Sequence, residues 1–166
     1  VDLRLQPLLA ALPQWLAQLS QWRRLEEVLI AVDGDGVLAL DWNAQRAFPK
    51  TDAEKLAALA QAAGVRCGSD VVLRYAAPTT GGSFAFALRD FTQVNPAIND
   101  QLVQRALSWL EPQPNDAVAD LFCGLGNFTL PLARRAGMVI GYESSTAMVE
   151  RARAQGAVQG VNNIEF

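Results

Sequence analysis

A chain of 166 residues with 51% apolar and 19% charged side chains can build a core, which excludes wholesale disorder. Fourteen Lys and Arg against seventeen Asp and Glu leave a formal charge of −3, so no protein-wide field draws the molecule onto nucleic acid. Histidine is absent and only two cysteines occur, which removes Ser-His-Asp and Cys-His catalysis, imidazole zinc sites, and any structural zinc or all-cysteine iron–sulfur site supplied by this chain alone.

In chain order, Leu5, Leu8, Leu9, Leu12, Trp15, Leu16 and Leu19 recur at helical spacing, with Pro13 as an expected kink. Residues 25–32 and 37–42 read as a hairpin around Asp33-Gly34-Asp35-Gly36. The repeated Asp hints at calcium, but the twelfth position of an EF-hand loop starting at Asp33 is Ala44 rather than Glu, so a plain turn is expected. Thr51-Asp52-Ala53-Glu54 reads as a capping box opening a helix that stops at Gly64. Strands follow near 70–75 and 83–88, separated by a turn at Pro78-Thr79-Thr80-Gly81-Gly82. Residues 1–91 thus form a small α/β lobe.

The pattern changes over 92–166. Asn95 and Pro96 open a helix to Leu110, and the apolar strand 117–122 runs into Cys123-Gly124-Leu125-Gly126-Asn127. A helix to about Ala136, a strand 138–142 ending at Glu143, a helix over roughly 145–155 and a strand beginning at Asn163 complete the series. This alternation predicts an α/β fold, the first half of a doubly wound parallel sheet. The sequence begins at Val1 without Met and ends inside that last expected strand, so a fragment of a longer protein is expected. No apolar run approaches the ~20 residues of a membrane span, and no secretory signal is visible. With two widely spaced cysteines, a cytoplasmic setting without membrane contact is the expectation.

The chemistry concentrates between Asp120 and Glu143. Glycines at a strand-to-helix turn let backbone approach a ligand, and a carboxylate at the tip of the next strand can accept hydrogen bonds from ribose hydroxyls. A dinucleotide fingerprint starting at Gly124 would need Gly at position 129, which is Thr129, and Glu143 comes 17 residues after Gly126, so NAD stays open but poorly matched. S-adenosylmethionine fits better: it has no pyrophosphate to cradle, and its sulfonium is favoured by nearby acids.

Phe91-Thr92-Gln93-Val94-Asn95, the run from Asp120 to Leu130 and Gly141-Tyr142-Glu143 together resemble the RNA uracil-5-methyltransferase family, in wording nearest its bacterial 23S rRNA branch. The resemblance is dense from Arg89 onward and faint before it. It implies a Rossmann-like, S-adenosylmethionine-dependent methyltransferase sheet and an RNA partner, 23S rRNA. It also implies that Gln93 contacts the methionine end of the cofactor, that Phe122, Gly124 and Asn127 line the loop beneath it, and that Glu143 holds the ribose. Plainer roles compete: Gln93 or Asn95 as helix caps, Phe122 as core, Asn127 as an N-cap, Glu143 as a solvated strand end. In the family a cysteine thiolate adds to C6 of the uridine and a carboxylate base removes the C5 proton, both downstream of this loop. Catalytic residues are therefore expected to be absent here and the chain alone inactive. Cys123 sits in the cofactor loop and is not the nucleophile, and Cys67 is read as structural. The branch also carries a four-cysteine iron–sulfur site and an N-terminal β-barrel, of which this chain shows neither, so no metal is expected. Arg23-Arg24 and Arg134-Arg135 could meet phosphates, but weak RNA binding is expected, and an unpaired sheet edge invites self-association. Two other functions stay open: a non-catalytic module binding RNA or another partner, and a methyltransferase for a non-RNA substrate.

Overall fold

The computed structural model describes residues 2–44, 48–78 and 82–166. The turn expected at Pro78-Thr79-Thr80-Gly81-Gly82 falls mostly outside them. Two compact units are present, one comprising 1–74 and 87–89, the other 75–86 and 90–166. Among the described residues no helix is long and apolar enough to cross a membrane.

In the first unit, α1 (Gln6–Leu16) turns Leu8 and Trp15 inward and carries Pro13 within it. Strands β1 (Leu25–Val32) and β2 (Leu38–Ala44) pair antiparallel. The hairpin turn is closed from inside, because the Asp33 carboxylate accepts the backbone N–H groups of Asp35 at 2.9 Å and Val37 at 2.8 Å. That carboxylate serves the turn itself, as an Asx turn does. A two-residue strand, β3 (Arg66–Cys67), adds parallel to β2 and is too short to leave a periodic signal. Helix α2 (Lys50–Ala62) packs Leu56 and Ala60 against Leu8, Trp15, Leu19, Leu40 and Val65.

The expected capping box does not form. Helix α2 already begins at Lys50, and its N-cap, Pro49, offers no side-chain bond. Asp52 instead turns into the unit and accepts the backbone N–H groups of Ser20 at 3.0 Å and Gln21 at 2.8 Å, together with the Ser20 hydroxyl at 3.0 Å. Burial alone would raise the Asp52 carboxyl, but these three donors outweigh it and hold it below its usual range.

Strands β4 (Val72–Ala77) and β5 (Gly82–Ala87) form a two-stranded sheet whose residues 75–77 and 82–86 open the second unit, with Tyr75 stacked on Phe84 at 5.3 Å between ring centroids. Helix α3 (Pro96–Leu110) opens on Asn95, whose side chain accepts the Ile98 N–H at 3.1 Å. The cap is thus Asn95 and not Gln93. The helix ends at Glu111, whose left-handed backbone (φ 44°) closes the last turn before Pro112. Strands β6 (Ala117–Leu121), β7 (Met138–Tyr142) and β8 (Ile164–Glu165) lie side by side in that order, all parallel. Their connections run through α4 (Thr129–Ala133), shorter than expected, and α5 (Thr146–Val158), longer than expected. Phe84, Val103, Leu107, Leu130, Leu132, Val139 and Val161 share one buried cluster. Strand, helix, strand, helix, strand in this order is the first half of a doubly wound Rossmann-like sheet, as the alternation predicts.

Candidate functional site

Parallel pairing of β6 with β7 sets Asp120 opposite Gly141 and Leu121 opposite Tyr142, so both strands end at the same rim of the sheet. Chain direction makes that rim the carboxyl end, where open α/β sheets bind ligands. The Cys123 N–H donates to the Tyr142 carbonyl at 3.1 Å, stitching the start of the loop to the end of β7. A Cβ on Gly141 would lie 2.8 Å from the Cys123 Sγ, so the close approach of loop and strand requires glycine there.

The backbone turns at Phe122 (φ 61°) and Gly124 (φ 57°), both left-handed. For glycine that costs little, but for Phe122 it is a strained conformation of the kind that collects at functional sites. Phe122 is also 91% exposed, which excludes the core role.

Glu143, one residue past β7, faces this turn. Its Oε1 accepts the Ser145 N–H at 2.9 Å and the Ser144 hydroxyl at 3.2 Å, and its Oε2 accepts the Gly124 N–H at 3.1 Å. Donation from Ser145 first, with that from Gly124 and Ser144, holds the carboxyl below its ordinary value of 4.5 against a smaller opposing effect of burial. The carboxylate is therefore not a free solvated end. Oε2 has one donor and keeps a lone pair for a further hydroxyl.

Asn127 is not an N-cap either, since α4 has no side-chain cap. Its amide pairs with Asn99 of α3: Asn99 Nδ2 donates to Asn127 Oδ1 at 2.8 Å, and Asn127 Nδ2 donates to Asn99 Oδ1 at 2.9 Å. Gln93 lies exposed before α3, and no hydrogen bond among the described residues brings it against the loop.

Beneath the loop, Asp120 accepts the hydroxyl of the fully buried Thr129 at 2.6 Å. Burial raises the Asp120 carboxyl, and the Thr129 hydroxyl and N–H offset part of that rise. Cys123 is buried and its thiol is pushed up to about 11 by burial first and then by the Asp120 charge. Cys67 is likewise pushed up to about 11, by burial and by Asp41. Neither is a thiolate near neutral pH.

Two residues of the loop's support were not anticipated. Gln155, buried on α5, accepts the Ala85 N–H at 2.7 Å and donates to the Leu125 carbonyl at 3.4 Å. Asn99 occupies the inward stripe of α3 with Val103 and Leu107, where a polar residue among apolar ones at four-residue steps is the signal that could have found it.

Glu143 gives the site a pH signature. A carboxyl held below 4.5 in the fold adds stability above that pH and loses it as pH falls through the lower folded value. Compared with wild type, Glu143→Gln is expected to show a shallower fall of melting temperature below pH 4.5 in a calorimetric series. Parallel curves would show that the carboxylate is not bonded as described.

Residues 79–166 match the family model described as tRNA (Uracil-5-)-methyltransferase. The 23S rRNA (uracil(1939)-C(5))-methyltransferase of Klebsiella pneumoniae (strain 342) is 40% identical over 173 residues, which cover 98% of this chain and 39% of that protein. Its counterpart in Salmonella typhimurium is 54% identical over 86 residues, or 52% of this chain and 20% of the relative. The chain thus spans about 39% of the length of the first of these relatives. Among solved structures, the Pyrococcus abyssi tRNA (uracil-54, C5)-methyltransferase, in complex with S-adenosyl-L-homocysteine, is 17% identical with a TM-score of 0.59, covering 82% of this chain and 37% of that one. The putative transferase PH0793 from Pyrococcus horikoshii is 18% identical with a TM-score of 0.53, covering 92% of this chain and 61% of that one. At these identities both show the fold alone. The family match across the second unit and the loop geometry agree: the chain belongs to the RNA uracil-5-methyltransferase family.

Proposed function

We propose that the protein transfers a methyl group from S-adenosylmethionine to C5 of a uridine in 23S rRNA, and that this chain supplies the adenosyl side of the site. The observation that carries the reading is the Glu143 carboxylate on the Gly124 N–H, at the carboxyl rim of β6 and β7, in a chain of this family.

The residues fit the cofactor. Oε2 of Glu143 keeps a lone pair for a ribose hydroxyl, and the Ser144 hydroxyl can rotate away to free another on Oε1. The left-handed turn at Phe122 and Gly124 presents backbone where a purine nucleoside must come close, and the exposed Phe122 ring offers a face beside it. Asn127 keeps one N–H and one lone pair beyond its Asn99 bonds. Gln93 is assigned to the methionine end by the family resemblance alone, since it lies exposed before α3 and away from the loop's bonds.

The bound cofactor supplies an electrophilic methyl on a sulfonium. Within the chain, Glu143 orients the ribose, the negative charge of Glu143 and Asp120 favours the cationic sulfur, and the loop backbone sets the depth of binding. Neither Cys67 nor Cys123 is poised to activate the pyrimidine, because burial holds both thiols in the neutral form.

RNA is the proposed partner of the whole protein, and the cytoplasm its place. This chain should bind RNA weakly: its net charge is −3, and Arg134 is engaged by the Gln159 Oε1 at 3.0 Å. Strands β6 and β8 flank the sheet, so their outer edges offer unpaired backbone for self-association.

Methyl transfer tests the function. With labelled S-adenosylmethionine and unmodified 23S rRNA, the full reading frame containing this sequence is expected to yield 5-methyluridine, and the 166-residue chain none. Labelling of a protein or a small molecule instead of RNA, or turnover by the short chain, would contradict the assignment.

A further inference from the structure

Asn99 presents a cost that an ordinary core residue would not. It is 5% exposed and lies on the same inward stripe of α3 as Val103 and Leu107. An amide at such a position is unfavourable unless its polar atoms are bonded. Both are, and by one partner: the two bonds of 2.8 and 2.9 Å to Asn127 close a reciprocal ring between the amides. Such a ring fixes the plane of the Asn127 amide as well as its position. Asn127 is only half-buried and sits between Gly126 and α4, and beyond that ring its amide keeps one N–H and one lone pair on a locked base.

We infer that Asn99 is a positioning residue: through the paired amide it holds Asn127 in the orientation that meets S-adenosylmethionine, and so sets cofactor affinity from inside the core. This rests on the cofactor reading above and deepens it. Leucine, close to asparagine in shape and suited to the apolar stripe, would satisfy a packing role at position 99 but not an orienting one.

A thermodynamic cycle tests the inference, with S-adenosylhomocysteine titrated calorimetrically into wild type, Asn99→Leu, Asn127→Ala and the double variant. Asn99→Leu is expected to weaken binding about tenfold while the melting temperature is kept or raised. In the Asn127→Ala background the same change should alter affinity by less than about twofold. Unchanged affinity in Asn99→Leu, or an equal loss in both backgrounds, would overturn the inference. Side-chain amide signals of Asn127 in ¹⁵N spectra provide a readout that needs no ligand. They should be slow to exchange in wild type and shift and exchange rapidly in Asn99→Leu, and signals indifferent to the change would overturn the pairing. Absence of any binding by wild type would defeat the cofactor reading and the affinity role together, while the amide spectra would still decide whether Asn99 orients Asn127.

Discussion

Leu130→Ala is expected to lower the stability of the second unit by about 2–5 kcal/mol. Leu130 is 0% exposed and belongs to the cluster with Phe84, Val103, Leu107 and Val139. It also closes the loop from below: its N–H donates to the Gly126 carbonyl at 3.0 Å, and its side chain lies against both Gly126 and Gly156. Truncation leaves a cavity that two glycines cannot fill, so the site can collapse only by moving the loop. Urea unfolding followed by tryptophan fluorescence would show the loss as a midpoint lowered by about 1–2.5 M at a slope of about 2 kcal/mol/M. Leu102→Ala, on the outward side of α3 at 48% exposure, should stay within about 0.5 kcal/mol of wild type. Equal effects of the two changes would mean that the described core is wrong.

The second large effect falls on binding. Glu143→Ala should reduce affinity for S-adenosylhomocysteine by about 100-fold or more, because each hydrogen bond from a ribose hydroxyl to a carboxylate contributes roughly 1.5–3 kcal/mol. The same change releases the Gly124 and Ser145 N–H groups from their shared acceptor. The loop therefore loses one of its two ties to the end of β7, the Cys123–Tyr142 backbone bond remaining, as well as its ligand contact. Glu143→Gln keeps one acceptor oxygen and should fall between wild type and Glu143→Ala. Tight binding untouched by either change would remove Glu143 from the site.

The loop was legible because its signals are local and dense: an apolar strand, two glycines, and an acid at the next strand's end all fall within residues 117–143. Helix α3 was legible for the same reason, with Asn95 and Pro96 marking its start. What escaped depended on partners far away in sequence. Thr51 to Glu54 has the wording of a capping box, yet Asp52 is claimed by Ser20 and Gln21, some thirty residues earlier. Strand β3 is two residues long and exists only because β2 is there to pair with it. Asn127 was recognised as part of the loop, but its partner Asn99 lies 28 residues upstream on helix α3. Gln155 reaches back 70 residues to Ala85, so no window of the sequence contains both ends of that bond.

The seat of the adenosyl group is most directly tested by a crystal structure of this chain grown with S-adenosylhomocysteine. Density is predicted at the rim of β6 and β7, with the ribose hydroxyls on the Glu143 carboxylate, the purine beside Phe122 and backbone close beneath at Gly124. A nucleoside bound anywhere else, or a loop whose Phe122 ring has folded in to fill that space, would contradict the account.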